Sequence, residues 1–243
     1  MFLSVRKIIN NWKQCFSLCC VHLSALNLGA EGSIMTVTIE KIRRSVIGEG
    51  VLFNTPFGNK PMVYADYTAS GRSLSFIEEA ISQQVLPYYA NTHTETSFSG
   101  KQSTVFREQA RAVIHKALNT GDKHKVIFTG SGATAAINKL IDMLNLRLPS
   151  ELNEQYQFEA QIDEQQKPVV FIGPYEHHSN ELPWRESIAT LVTIPLTEMG
   201  QIDAEYLEQK LQQYQSRPLL IGSFSAASNV TGLKTNVSQV SKL

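Results

Sequence analysis

A glycine-rich turn is the segment of this chain best suited to bind an anion. Residues 130–132 read Gly-Ser-Gly; they follow the β-prone run 126–129 and precede a helical pattern that begins with Ala133 and Thr134. The sequence therefore predicts a strand over 126–129 and a helix directly after the turn. Glycine lets the backbone pass close to a ligand, and the first amides of a helix are unpaired and partly positive. These properties are typical of a phosphate site.

Two common phosphate motifs do not fit this turn. The dinucleotide fingerprint needs a third glycine where Ala135 stands, and the nucleotide P-loop needs a Gly-Lys-Ser or Gly-Lys-Thr sequence that does not follow here. A tight strand-to-helix turn that binds no ligand remains the alternative for this segment alone.

Two further polar loops follow predicted strands. Residues 173–184 (GPYEHHSNELPW) come after the apolar run 169–172, and residues 223–232 (SFSAASNVTG) come after the apolar run 219–221. In an open α/β sheet, ligands bind at the carboxyl ends of the strands. We therefore expect these loops and the glycine-rich turn to converge on one site.

Three blocks, in this order, resemble the class V aminotransferases. They are the Gly-Ala-Thr turn, Glu-His-His-Ser-Asn-x-x-Pro-Trp and Ser-Asn-Val-Thr-Gly. This family consists of pyridoxal-phosphate enzymes of fold type I and includes the cysteine desulfurases. Residues 66–72 resemble the family's opening block, residues 91–96 resemble its Asn-x-His-Ser loop, and the resemblance covers about residues 53–243.

The resemblance implies a cofactor, pyridoxal 5′-phosphate, and the residues that bind it. The backbone N–H of Ala133 and the hydroxyl of Thr134 match the turn that binds the cofactor phosphate. His177 matches the histidine that stacks on the pyridine ring; it is the candidate catalytic residue, because imidazole can also move a proton near neutral pH. Asn229 matches the asparagine that hydrogen-bonds the ring hydroxyl. His178 is interpreted as a loop histidine, and no metal site is expected because no Cys or spaced acidic ligand accompanies the His-His pair.

The resemblance also implies residues that do not occur in this sequence. The family continues beyond the position of Asn229 with an aspartate that pairs with the pyridine nitrogen, and then with a Ser-x-His-Lys block whose lysine forms the Schiff base. No aspartate follows Asp203 here, and Lys234 and Lys242 lack the matching context. The chain is thus expected to be the N-terminal part of an enzyme that acts on an amino acid, and to be inactive alone.

Other interpretations stay open at this stage. The chain is expected to be a truncated gene model, a fragment or a short isoform, and the complete enzyme is expected to be a homodimer. The alternative function is that of a non-catalytic fragment that binds a partner through the family's dimer surface. An unrelated phosphate-binding α/β module is a third interpretation, which the match of three blocks disfavours.

Composition restricts the classes of partner. Lys plus Arg equals Asp plus Glu, at 22 each, so the net charge is zero. This balance gives no support for a surface that binds nucleic acid or anionic membranes, and no apolar run is long enough to span a bilayer. We expect neither nucleic acid nor a membrane as partner.

The first 30 residues differ in composition from the rest of the chain. They carry three basic residues and no acidic residue, as in a mitochondrial presequence, and the chain's three cysteines all lie within them. Residues 1–34 are interpreted as a leader or an erroneous extension without order, with Met35 as an alternative start. The location is expected to be cytoplasmic or mitochondrial. The terminal Ser-Lys-Leu matches a peroxisomal signal and is interpreted as accidental.

The rest of the chain predicts an α/β fold with a partial, mostly parallel sheet flanked by helices. In the family this is the N-terminal part of the large domain of a fold type I transferase. Residues 35–60 are expected to be a connecting segment that belongs to the small domain in the family, and residues 61–243 an incomplete cofactor-binding large domain. Apolar spacing predicts helices over 76–86, 103–118 and 202–214, and a helix that begins after Asn236. Residues 149–167 are polar and are expected to form a surface insertion.

Overall fold

The computed structural model describes residues 2–9, 12–19, 37–120 and 124–243. Its backbone contacts divide the chain into two units, which are residues 1–21 with 122–243, and residues 22–121. Within the described ranges, no helix has the length and apolar character needed to cross a bilayer.

The elements are numbered along the chain. The strands are β1 (Phe2–Ile9), β2 (Trp12–Cys19), β3 (Leu52–Thr55), β4 (Gly58–Pro61), β5 (Val169–Ile172), β6 (Thr190–Thr193) and β7 (Leu219–Phe224). The α-helices are α1 (Ile39–Ser45), α2 (Ser75–Ala80), α3 (Phe98–Ala117), α4 (Gly132–Met143), α5 (Ser150–Tyr156), α6 (His178–Arg185), α7 (Ala204–Gln213) and α8 (Val237–Val240).

The larger unit is built on one sheet with the strand order β2-β1-β7-β5-β6. β5 lies in the centre of a parallel group, where Val170 stands opposite Ile221 of β7 on one side and Leu191 of β6 on the other. β1 pairs antiparallel with the free side of β7 and with β2. The strands predicted at 169–172 and from 219 onward are confirmed, and so is an α/β fold with a parallel group of strands flanked by helices.

The predicted strand over 126–129 is wrong. Residues 124–129 have no regular secondary structure, and the side chains of Ile127 and Phe128 are 55% and 49% exposed. An extended segment becomes a strand only when a neighbour supplies its hydrogen-bond partners. No described strand pairs with this run. A β-prone composition alone was therefore not sufficient.

Two strands, β1 and β2, fall within residues 1–34, where the sequence predicted no ordered element. Residues 20–36 lie outside the described part of the chain. The domain boundaries at residues 34 and 60 stay predictions.

The parallel strands are covered by helices on both faces, which is why their sequences are apolar without alternation. Val170, Ile172 and Ile221 face one apolar cluster, which they share with α4 and α6. The alternate residues Val169 and Phe171 face a second cluster, to which α7 and α8 contribute. All four residues of β5 are buried. The parallel strands are therefore the inner layer of three.

The helix predictions for this unit hold, with small shifts at the ends. α7 begins at Ala204 because the Asp203 side chain accepts a hydrogen bond from the Tyr206 N–H. α8 begins after Asn236, whose side chain accepts a bond from the Gln239 N–H, as the sequence predicts.

The smaller unit contains α1, the β3–β4 hairpin, α2 and α3. The long predicted helix of this unit begins at Phe98, five residues earlier than the sequence predicts, because the Ser97 hydroxyl caps the Gly100 N–H at 3.1 Å. The helix predicted over 76–86 is α-helical only to Ala80 and then continues as a π-helical turn over Ile81–Val85.

An ion pair holds the polar insertion at 149–167 against the rest of the larger unit. Arg217, 5% exposed, donates to Glu164 Oε1 at 2.7 Å and to the carbonyl oxygen of Lys167 at 2.9 Å. The Thr190 hydroxyl donates to the same carboxylate at 2.7 Å. These hydrogen bonds, first that of Arg217 and then that of Thr190, lower the pKa of Glu164 from 4.5 to about 2.

This pKa shift predicts an acid-dependent loss of stability. A carboxyl group whose pKa is lower in the folded chain stabilises the fold above its unfolded pKa, and it loses that effect as the pH falls through the folded pKa. We expect Glu164→Gln to lower the free energy of unfolding at pH 6. The difference from the unaltered chain should shrink between pH 4.5 and about 2, the two pKa values of Glu164.

Urea denaturation at a series of pH values measures this difference. Glu154→Gln is the matched control, because Glu154 is an exposed acid in the same insertion. A difference between Glu164→Gln and the unaltered chain that stays constant down to pH 2 would contradict the assignment.

Candidate active site

The first turn of α4 offers backbone donors that its N-cap side chain does not occupy. Ser131 stands at the N-cap position without making a side-chain cap hydrogen bond, and the first turn contains no acidic residue. Gly132 has a φ of 68°, a conformation that side-chain-bearing residues rarely adopt. Thr134 is exposed in this turn. Unpaired N–H groups, a hydroxyl and the helix dipole suit an anion.

The packing of α4 against α6 places this turn at the carboxyl edge of the parallel strands. α6 begins after β5 and ends before β6, so it runs from the carboxyl edge to the amino edge. Leu146 lies just beyond the end of α4, and Ile188 lies just beyond the end of α6. The Leu146 carbonyl accepts a hydrogen bond from the Ile188 N–H at 2.8 Å. The two helices thus end at the same edge, and because they pack side by side, both begin toward the carboxyl edge.

His177 is the N-cap residue of α6. Its Nδ1 accepts a hydrogen bond from the Ser179 N–H at 3.1 Å and lies 2.9 Å from the Ser179 hydroxyl. A neutral imidazole that accepts at Nδ1 carries its proton on Nε2. The ring is exposed, and that of His178 is centred 6.2 Å away. The structure therefore gives His177 a local structural role that the sequence analysis did not foresee.

Asn229 lies exposed in a turn that is closed at its base. The Thr235 hydroxyl donates to the carbonyl oxygen of Ser225 at 2.6 Å, which brings the two ends of the turn together. Inside the turn, the hydroxyl oxygen of the buried Ser228 accepts a hydrogen bond from the Thr231 N–H at 3.2 Å. The position of Asn229 is thus tied to that of Ser225.

The loops that carry His177 and Asn229 are joined by one carboxylate, that of Glu176. Its Oε1 accepts from the Ser225 N–H at 2.8 Å, and its Oε2 accepts from the Ser225 hydroxyl at 2.7 Å. Glu176 immediately precedes His177, and Ser225 immediately follows β7. The carboxyl ends of β5 and β7 are therefore held together by side-chain contacts as well as by the sheet.

A buried polar group lies beneath this contact. Asn180, 2% exposed, donates through Nδ2 to Glu176 Oε2 at 2.7 Å and to the Ser223 carbonyl at 3.1 Å. Its Oδ1 accepts from Trp184 Nε1 at 3.3 Å and from the Ser223 hydroxyl at 2.5 Å. The roles of these residues were not recognised from the sequence. The signal was the four-residue spacing of Asn180 and Trp184, which share one face of α6; Glu176 stands four residues before Asn180, ahead of the helix.

The structure thus brings His177 and the turn of Asn229 to one edge of the sheet through Glu176 and Ser225. It directs the turn with Ala133 and Thr134 to the same edge through the packing of α4 on α6. This turn does not follow a strand, contrary to expectation. The cofactor roles of these residues stay predictions.

Removal of the Asn180 side chain should destabilise the larger unit. Asn180→Ala removes the acceptor of the buried Ser223 hydroxyl and one of the two acceptors of the Trp184 indole N–H, which costs about 1–3 kcal/mol of unfolding free energy. Chemical denaturation measures the change. Gln212→Ala, an amide truncation at an exposed position of α7, is the control and should change stability by less than about 0.5 kcal/mol. Equal effects of the two substitutions would contradict the account.

The chain is similar in sequence to bacterial proteins described as a "probable cysteine desulfurase". That of Halalkalibacterium halodurans is 27% identical over 187 residues, which cover 75% of this chain and 41% of the relative. That of Streptomyces coelicolor is 24% identical over 183 residues, covering 74% and 40%. The chain thus spans about two-fifths of the length of these relatives.

One similar solved structure is the cysteine desulfurase CsdA from Escherichia coli, at 20% identity and a TM-score of 0.45. The alignment covers 72% of this chain and 40% of that chain. The model of the family "Aminotransferase class-V" matches residues 63–243, which include every predicted site residue. The chain therefore belongs to the class V aminotransferase family.

Proposed function

We propose that this chain carries the pyridoxal-phosphate-binding elements of a cysteine desulfurase-like enzyme that acts on an amino acid and, when complete, forms a homodimer. The observation that carries the proposal is the joining of the His177 and Asn229 loops at the edge toward which the open first turn of α4 points. Membership of the class V aminotransferase family supports it.

The residues present fit the cofactor chemically. A phosphate dianion needs several donors and no nearby acid, and the first turn of α4 provides the amides of Ala133 and Thr134 and the Thr134 hydroxyl. A flat aromatic ring needs a flat partner, which His177 offers as an exposed imidazole. A ring hydroxyl needs a hydrogen-bonding group, which the Asn229 amide offers. When bound, the cofactor supplies an electron-withdrawing ring that stabilises negative charge on the substrate.

Each residue has one task in this proposal. Thr134 and the helix amides hold the phosphate, and Asn229 orients the ring. His177 covers one face of the ring, and because its Nδ1 accepts from Ser179, its Nε2 is the nitrogen that holds or moves a proton. The cap hydrogen bond thus fixes both the ring's orientation and its tautomer.

The sequence predicts that the cofactor binds to this chain without a covalent link. No Ser-x-His-Lys block is present, so no lysine occupies the family's attachment position. We expect borohydride reduction in the presence of pyridoxal phosphate, followed by peptide mass spectrometry, to yield only scattered, substoichiometric labelling of lysines. A single lysine labelled to one equivalent would contradict this prediction.

The Thr134 hydroxyl should contribute to the affinity for the phosphate. Thr134→Val keeps the shape of the side chain but removes one charge-assisted hydrogen bond, so we expect the Kd to rise about tenfold. Thr134→Ser keeps the hydroxyl and should retain the affinity. Absorbance titration with pyridoxal phosphate, with pyridoxal as the phosphate-free comparison, measures this. Equal affinities of the valine and serine variants would show that this hydroxyl does not bind the phosphate.

A further inference from the structure

Glu176 has an unusually complete set of hydrogen bonds for a side chain at the edge of a candidate site. Oε1 accepts from the Gly173 N–H at 3.2 Å and from the Ser225 N–H at 2.8 Å. Oε2 accepts from Asn180 Nδ2 and from the Ser225 hydroxyl, both at 2.7 Å. Three of these four partners are N–H groups, which can only donate.

Trp184 fixes the orientation of the Asn180 amide, which is one of these donors. The indole N–H of Trp184 can only donate, and it is 3.3 Å from Asn180 Oδ1. The Asn180 Nδ2 must then point toward Glu176. A rotation of the Asn180 amide would place its NH₂ group against the indole N–H and leave a donor facing a donor. Both oxygens of Glu176 are therefore required as acceptors, which only a carboxylate provides.

The backbone is shaped to admit this carboxylate. A Cβ at position 173 would lie 2.6 Å from Glu176 Oε1, so the carboxylate reaches the amide of residue 173 only because that residue is glycine. The contact thus joins the first residue after β5 to the first residue after β7. Within the described part of the chain, Glu176 accepts hydrogen bonds from Gly173, Asn180 and Ser225, none of which is a predicted cofactor-binding residue.

We propose that Glu176 is a positioning residue that sets the separation between His177 and the turn carrying Asn229. It acts on His177 as its neighbour in sequence, and on Asn229 through Ser225 at the base of the turn. The claim that this separation lets His177 and Asn229 contact the same cofactor ring rests on the proposed function. The joining of the loops does not depend on that function.

The substitution Glu176→Gln tests the proposal in the full chain. The glutamine keeps the size of the side chain but places an NH₂ group against the Asn180 NH₂ group or against two backbone N–H groups. Glu181→Gln is the matched control: it removes one negative charge from the first turn of α6, close to Glu176 in sequence, and Glu181 pairs with Arg185 outside this cluster.

Two readouts are measured under conditions where both variants are folded. The first is amide hydrogen exchange, in which the Gly173 and Ser225 amides of Glu176→Gln should exchange about tenfold faster while the amides of β5 keep their rates. The second is absorbance titration with pyridoxal phosphate, in which Glu176→Gln should raise the Kd about tenfold. Glu181→Gln should change neither. A purely structural role would lower the melting temperature without changing the affinity of the folded chain.

The outcomes separate this proposal from the proposed function. If the Ser225 amide exchanges at the same rate in Glu176→Gln as in Glu181→Gln, the positioning role is overturned. It is also overturned if Glu176→Gln shows faster exchange but binds pyridoxal phosphate with an unchanged Kd. If the unaltered chain binds no pyridoxal phosphate, the proposed function fails, and the exchange comparison alone decides whether Glu176 joins the loops. Should Glu176→Gln not fold, Ser225→Ala takes its place, because it removes one of the four hydrogen bonds and should accelerate exchange at Gly173 and weaken binding in the same direction.

Discussion

A buried indole N–H that needs an acceptor is the constraint on which the described site depends. Trp184 is fully buried, and its Nε1 reaches Asn180 and the Ser223 hydroxyl at 3.2–3.3 Å. An unpaired donor at this depth would cost about as much as one or two ordinary hydrogen bonds contribute. The buried Asn180 accepts from the indole N–H through Oδ1. Its Nδ2 group donates to the Ser223 carbonyl of β7 and to Glu176 at the edge of the sheet. The hydrogen bonds that satisfy the buried indole N–H therefore also help to fix the positions of the loops at the edge of the sheet.

Apolar packing around the sheet strengthens the hydrogen bonds of the Asn180 amide. Trp184 belongs to the cluster that contains α4 and α6, so water is excluded around the Asn180 amide. Hydrogen bonds in such surroundings are stronger than at the surface, and the loss of one partner is more costly. The same cluster orients α4, which is why the glycine-rich turn depends on packing rather than on a preceding strand.

The sequence predicted the parts of the fold that are determined locally or by complete burial. The runs at 169–172 and 219–221 are apolar on both faces, and caps such as Asp203 and Asn236 act within one turn of their own helix. The order along the chain of the three candidate loops was also readable, because each loop carries a distinctive block.

The parts that the sequence did not predict depend on distant partners. The run at 126–129 resembles a strand but lacks a neighbour, and the insertion at 149–167 is held by Arg217, about fifty positions further along the chain. In the same way, Glu176 could be recognised as an acceptor only once Ser225 was beside it. Local pattern predicts an element's tendency, whereas pairing between distant residues decides whether and where it forms.

The outermost parallel strand is only four residues long, which limits β-pairing with another chain at this edge of the sheet. β6 ends at Thr193, and Pro195 follows after one further sheet-like bond from the Ile194 N–H to the Ile172 carbonyl. A long exposed edge would present a row of free amides that another chain could extend, whereas proline has no amide hydrogen to offer. The rim of the sheet next to the candidate site is therefore a poor template for intermolecular β-pairing, so this side of the unit can leave its loops open to a ligand without recruiting strands from neighbouring molecules.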